Sequence, residues 1–458
     1  MKPWSLSLWC LLLATASVAG PAQAQQLSLS PSATVSTSAT SNRDLQPPGQ
    51  ENAQLLLTTL GTLNAQLHAP RAEGSAEYRL FYFQPLQTED DEALLPELNH
   101  TLALGTRASA SERLTLGASL DGFWGEDILQ TVSPTRANPA DPATPPTDPV
   151  TTALGDLAVE RTRFLQLGGR AFGEVAVTPR DRLRLTLGGS WRRSQRPTLL
   201  TGSAQDRERL AQLPASRDAS VQSLAGSWEH DLDETLQAGL DLEQELARFD
   251  EGVDGTTLRA RARLRKRWTD RLDLNLSAGA IANAPDADDE DLQGGTLAAP
   301  QDDLLLSWAL GAGLGARWEA WALSLNYGRD VTQTGTTAGA LLLDAASFEL
   351  VYAWDRALAV RATGSASLAR PAAEADPTYT GALAGGVGVL VPLSGWLYLD
   401  SSYTVLRQDS FGGNRQEGTD PTASVSGDLR DEVMVHTVFL GLSARTDFGA
   451  GDPARAQP

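Results

Sequence analysis

The residues best equipped for chemistry lie in one run, Leu258-Arg259-Ala260-Arg261-Ala262-Arg263-Leu264-Arg265-Lys266-Arg267. An extended chain sends alternate side chains to opposite faces. Arg259, Arg261, Arg263, Arg265 and Arg267 therefore form a single cationic row. Upstream, Asp241, Glu243 and Glu245 share one parity. Folding the two segments about Gly252 sets Glu245 opposite Arg259, Glu243 opposite Arg261 and Asp241 opposite Arg263. Downstream, Asp273 and Asn275 fall opposite Arg267 and Arg265. Opposite charges across strands stabilise by roughly 0.2–1 kcal/mol per pair. Two readings of the row stand. Rows of charge set selectivity in pores, here for anionic solutes or sugar carboxylates. Alternatively the acids neutralise the row and brace a wall, a reading favoured because nearly every arginine has a partner.

Other chemistry is sparse. His68, His100, His230 and His436 are the only histidines, and none has a serine and a carboxylate at triad-like spacing. No catalytic residue, and hence no enzyme, is expected. The run Asp286-Ala287-Asp288-Asp289-Glu290-Asp291 offers oxygen ligands but lacks the glycine spacing of a calcium loop, so it reads as a solvated acidic surface. No metal or other cofactor is implied. With 57 acidic and 37 basic residues, the net charge of −20 argues against nucleic acid as a partner. Residues 133–149 are proline-rich and read as a disordered loop, with a constriction or a lid as the competing roles.

The elements that position the row follow from periodicity. In residues 182–193, Leu183, Leu185, Leu187 and Trp191 share one parity, while Arg182, Arg184, Thr186, Ser190 and Arg192 share the other. That is a strand with one apolar and one polar side. The same alternation predicts eighteen strands, from 27–40 to 432–448, including 181–194, 234–248, 256–268, 271–283 and 320–332. Tight turns alternate with longer polar connections along the chain. Lys2, an apolar stretch from Leu6 to Ala19 and the small residues of Pro21-Ala22-Gln23-Ala24 read as a cleaved export signal over 1–24. The only cysteine, Cys10, falls inside it, so disulfides and thiolate sites are excluded from the mature chain. No later segment has the roughly 18 consecutive apolar residues of a membrane helix.

An exported chain whose strands are apolar on one side must close on itself, because lipid leaves no unpaired edge satisfied. The expected fold is all-β: a closed antiparallel transmembrane β-barrel of about 18 strands, with short periplasmic turns and long extracellular loops. It spans 25–448, followed by a polar tail over 449–458. Arginine facing lipid at mid-bilayer costs about 2–4 kcal/mol, so the arginine row belongs to the lumen. Ser28, Ser30, Ser32, Thr34, Ser36 and Ser38, and Thr380, Ala382, Ala384, Gly386 and Gly388, fall on the inward parity and leave space there. Trp268, Trp318, Trp321, Trp354 and Trp396 mark the periplasmic interface, and Tyr82, Trp124 and Trp191 the outer one.

The last strand, with Val438, Leu440, Leu442 and Phe448 outward, resembles the C-terminal strand of Gram-negative outer-membrane β-barrel proteins. The polar tail after Phe448 departs from that pattern. In size, strand number and polar lumen the chain also resembles the 18-stranded barrels that partner periplasmic polysaccharide-export proteins. That resemblance implies a passive conduit for a secreted polysaccharide, set in outer-membrane lipid and docked to a periplasmic export protein. A porin for small anions or sugars is the alternative, and a surface-binding barrel with a blocked lumen a third.

Overall fold

The computed structural model describes residues 26–41, 53–88, 97–126, 163–195, 219–249, 254–286, 304–333, 340–354, 358–371, 378–412 and 432–445. They form eighteen strands: β1 Gln26–Thr40, β2 Gln54–Ala69, β3 Ala72–Thr88, β4 Glu97–Ser109, β5 Leu114–Glu126, β6 Arg163–Ala176, β7 Asp181–Gln195, β8 Ala219–Asp231 and β9 Leu236–Phe249. The second half comprises β10 Asp254–Thr269, β11 Leu272–Asp286, β12 Leu305–Arg317, β13 Trp321–Gln333, β14 Ala340–Trp354, β15 Leu358–Pro371, β16 Thr378–Pro392, β17 Leu397–Gly412 and β18 Glu432–Arg445. Each predicted strand is present, with ends displaced by at most a few residues. The export signal, the 133–149 loop, Phe448 and the C-terminal tail lie outside the described residues, as does the acidic run but for the backbone of Asp286.

Every strand pairs antiparallel with its neighbours in sequence, and β1 pairs with β18 from Ser32↔Arg445 to Thr40↔Thr437. The wall therefore meets itself, and no edge strand is left over. The alternation dictates which side faces lipid. Leu183, Leu185, Leu187 and Trp191 are all exposed apolar side chains, and their counterparts on other strands, such as Leu306, Leu383 and Val438, continue the belt. The interfacial aromatics expected at both rims, from Trp268 and Trp354 to Tyr82 and Trp124, are likewise exposed on this face. In water such a surface would be costly; in hydrocarbon it is the favourable one. A closed antiparallel barrel wearing this belt is an outer-membrane protein.

Local chemistry fixes the tight ends. Asp233 Oδ1 accepts the N–H groups of Thr235 and Leu236 at 2.7 and 2.8 Å. Ser111 Oγ and Ser394 Oγ accept those of Leu114 and Leu397 in the same way, at 3.1 and 3.2 Å. A short polar side chain at the first corner replaces a missing backbone partner and closes the turn. Lys266, a cation on the lipid-facing parity, reaches one of these turns and donates to Thr235 Oγ1 at 2.6 Å. Its stem lies along the wall and its charge stays at the interface.

Candidate functional site: the lumen wall around the arginine row

β9, β10 and β11 carry the row. β10 pairs with β11 as expected, Arg265↔Asn275 and Arg267↔Asp273. Against β9 the register differs from the sequence expectation by two residues: Arg259 stands opposite Glu243, Arg261 opposite Asp241 and Thr257 opposite Glu245. The β9–β10 ladder, from Gly255↔Ala247 onward, centres on position 251, one residue earlier than Gly252. A two-residue slip keeps every side chain on its face, so the acids still meet the arginines, but diagonally. Arg259 Nη1 lies 3.1 Å from Glu245 and 3.9 Å from Glu243. Arg263 pairs with Asp241 and, at 3.2 Å, with Glu229 on β8. The expected Glu243–Arg261 pair is not made.

Arg261 instead turns to Asp330 on β13, which Arg259 Nε also reaches at 3.1 Å. Arg259 Nη2 donates to the carbonyl of Val331 at 2.9 Å. Arg259 is thereby buried, with 9% of its surface exposed. Asp330 and Glu229 were invisible as partners in the sequence. Their parity announces an inward side chain, but nothing local says which distant cation it meets.

The row is not uniform. Arg259, Arg261 and Arg263, toward the extracellular end, are held by five carboxylates. Arg265 and Arg267, toward the periplasmic end, are exposed and make no ion pair or side-chain hydrogen bond among the described residues. Asp273 stands opposite Arg267 without a salt bridge. Elsewhere on the inner face Arg361 Nε pairs with Glu349 at 2.9 Å, and Arg182 with Asp231 at 2.8 Å. Of the small inward residues expected to leave space on β1 and β16, Ser36, Ser38 and Ala382 are instead covered, Ala382 by packing with Leu343 and Ala369.

The histidines take other places. Tyr78 and Tyr403 hydroxyls lie 2.7 Å from Nδ1 of His100 and His436, on the lipid-facing parity near the outer rim. His230 Nδ1 lies 2.8 Å from Asp181 at the opposite rim, with Trp228 donating to the same carboxylate. These clusters belong to the interfacial aromatic girdles. Among the described residues no group of three or more acidic, histidine or cysteine side chains could hold a metal ion.

No protein-family model matches the chain, and no curated protein does. Solved structures do resemble it. The outer membrane protein OpdK from Pseudomonas aeruginosa is 9% identical over 93% of this chain and 99% of its own, with a TM-score of 0.42. OccAB3 from Acinetobacter baumannii is 10% identical over 93% and 99%, at 0.43. The siderophore receptor PirA from Acinetobacter baumannii is 10% identical over 91% and 80%, also at 0.43. At such identity and superposition the likeness carries no cargo, and the architecture rests on this chain's own ladders.

Proposed function

We propose that the protein is a porin-type channel: a passive route through the outer membrane for small hydrophilic solutes, with anions attracted to the periplasmic half of its arginine row. The observation that supports this is the uneven pairing along β10. A row kept only to brace the wall would be neutralised along its whole length. Here three arginines are held by carboxylates, while Arg265 and Arg267, exposed on the same inward parity, make no ion pair among the described residues. Exposed cations on a pore wall raise the local concentration of anions and disfavour cations.

This reading takes precedence over a conduit for secreted polysaccharide. A sliding polymer is served by a wide and featureless wall, whereas this lumen carries charged side chains that reach across three strands to pair. The periplasmic export partner expected with that cargo is accordingly not part of the proposal. The test is reversal potential in planar bilayers under a salt gradient. Arg265→Glu combined with Arg267→Glu should move permeability from anions toward cations. An unchanged reversal potential would remove the selectivity, and a wild-type barrel without conductance would remove the channel.

A further inference from the structure

The wall is interrupted at one place. β12 and β13 pair from Arg317↔Ala322 up to Leu310↔Arg329 and then stop. Their other neighbours do not stop: β11–β12 continues to Asn283↔Leu305, and β13–β14 continues to Gln333↔Ala340. Above Leu310 and Arg329 the two strands have separated, each still zipped to its outer partner. Continued register would have set Ala309 against Asp330 and Trp308 against Val331.

The side chains say where the β13–β14 end has gone. Val331 and Leu342 lie on the lipid-facing parity, in step with Trp321 and Leu325 on β13 and with Phe348 and Trp354 on β14, all exposed. Yet Val331 is 1% exposed, and both pack with Ile281 and Ala309, inward residues of β11 and β12. An outward face can cover an inward face only if one part of the wall lies inside the other. The reach of Arg259 agrees. β10 and β13 are three strand spacings apart, about 14 Å along the sheet. The Arg259 guanidinium nevertheless bonds both the Asp330 carboxylate and the Val331 backbone carbonyl.

At Val331 the freed backbone has new partners. A strand that leaves its neighbour strands N–H and C=O groups, costly to leave unmet in a dry wall. At Val331 the carbonyl is taken by Arg259 Nη2 at 2.9 Å and the N–H by Asp330 Oδ1 at 2.8 Å. Arg261 holds the other Asp330 oxygen. The same three residues thus substitute for the β12 ladder at Val331.

We propose that the outer margin of the wall on the β13 side of this seam, residues 330–333 and 340–343 with β14 still paired to β15 through Leu341↔Pro371, is a flap curled into the lumen, latched through Asp330 by Arg259 and Arg261, and that it sets the size limit for solutes. The inference rests on the channel reading and supplies its narrowest point. Ile281, Ala309 and Leu305 form its apolar seat on the inner wall.

The test zips the seam shut. In the separated state residues 309 and 330 face different surfaces. In a continuous wall they would be direct partners, within the Cα separation a disulfide needs. In Ala309→Cys/Asp330→Cys, oxidation should form the bridge, raise single-channel conductance about twofold or more over the reduced protein, and admit larger polyethylene glycols. Asp330→Asn, which weakens the latch alone, should raise conductance in part. A bridge that forms without changing conductance overturns the size-limiting role; a bridge that never forms overturns the detachable flap. Should the wild type not conduct while the bridged form does, the flap stands as a full closure. Should neither conduct, the channel reading itself falls. If the double variant fails to insert, Val331→Cys carrying a fluorophore decides instead. Nitroxide-labelled lipids should quench it far less than the same label at Val438→Cys, and equal quenching would place Val331 in the wall.

Discussion

Orientation of the wall can be tested at two adjacent residues. Leu187 and Thr186 sit mid-strand in β7, one on each face, and Leu187 is 56% exposed. From Asp181 to Leu187 the strand rises six residues, about 20 Å, or about 14 Å of height at a tilt near 45°. That is near the middle of an apolar band about 25 Å tall. Leu187→Arg should therefore cost about 2–4 kcal/mol, a roughly 30- to 900-fold loss in the folding equilibrium. Thr186→Arg places the same charge in the lumen beside Arg184, where crowding of like charges costs no more than about 1 kcal/mol. Reversible urea unfolding from phospholipid vesicles, followed by tryptophan fluorescence, reads both. Equal costs at the two sites, or a larger cost at Thr186, would refute the assignment of faces and with it the lumenal arginine row.

Two further outcomes follow from the packing and the turns. Gly117 faces Phe172 directly across β5 and β6, and a Cβ there would collide with the ring. Gly117→Val should destabilise by about 1–3 kcal/mol through overpacking, and Phe172→Ala in the same chain should recover part of it; simple additivity would show that the ring is not the obstacle. In the β8–β9 turn, hydrogen bonds from the Thr235 hydroxyl and backbone, and from the Leu236 backbone, hold the Asp233 carboxyl below its ordinary pKa. A depressed folded-state pKa contributes stability above the unfolded value, near 4, that is lost as pH falls through the folded one. Protection of the Thr235 and Leu236 amides, relative to their intrinsic exchange rates, should fall below pH about 4 in the wild type, whereas Asp233→Asn should show no such acid-dependent step.

Much of this protein is legible one residue at a time. Alternation fixed the strands, because a period of two needs no knowledge of neighbours. It also assigned each arginine of β10 to the inner face, because a charge in hydrocarbon is prohibitive wherever its partner lies. The contrast of tight and long connections supplied the up-and-down order, and with it the nearest-neighbour pairing. The β9–β10 slip marks the limit of that logic: parity constrains register only to even steps, so the faces were correct while the partners were displaced by two.

Closure alone decided the rest. Asp330 and Arg259 lie 71 positions apart in the chain and on strands that never pair. Only a curved wall brings them together, and only the parting of β12 from β13 lets them meet so closely. Val331 has the same parity as the lipid-facing residues before it, yet it is buried inside the wall. Periodicity encodes a side relative to the local strand, and the direction that strand takes in space belongs to the tertiary structure.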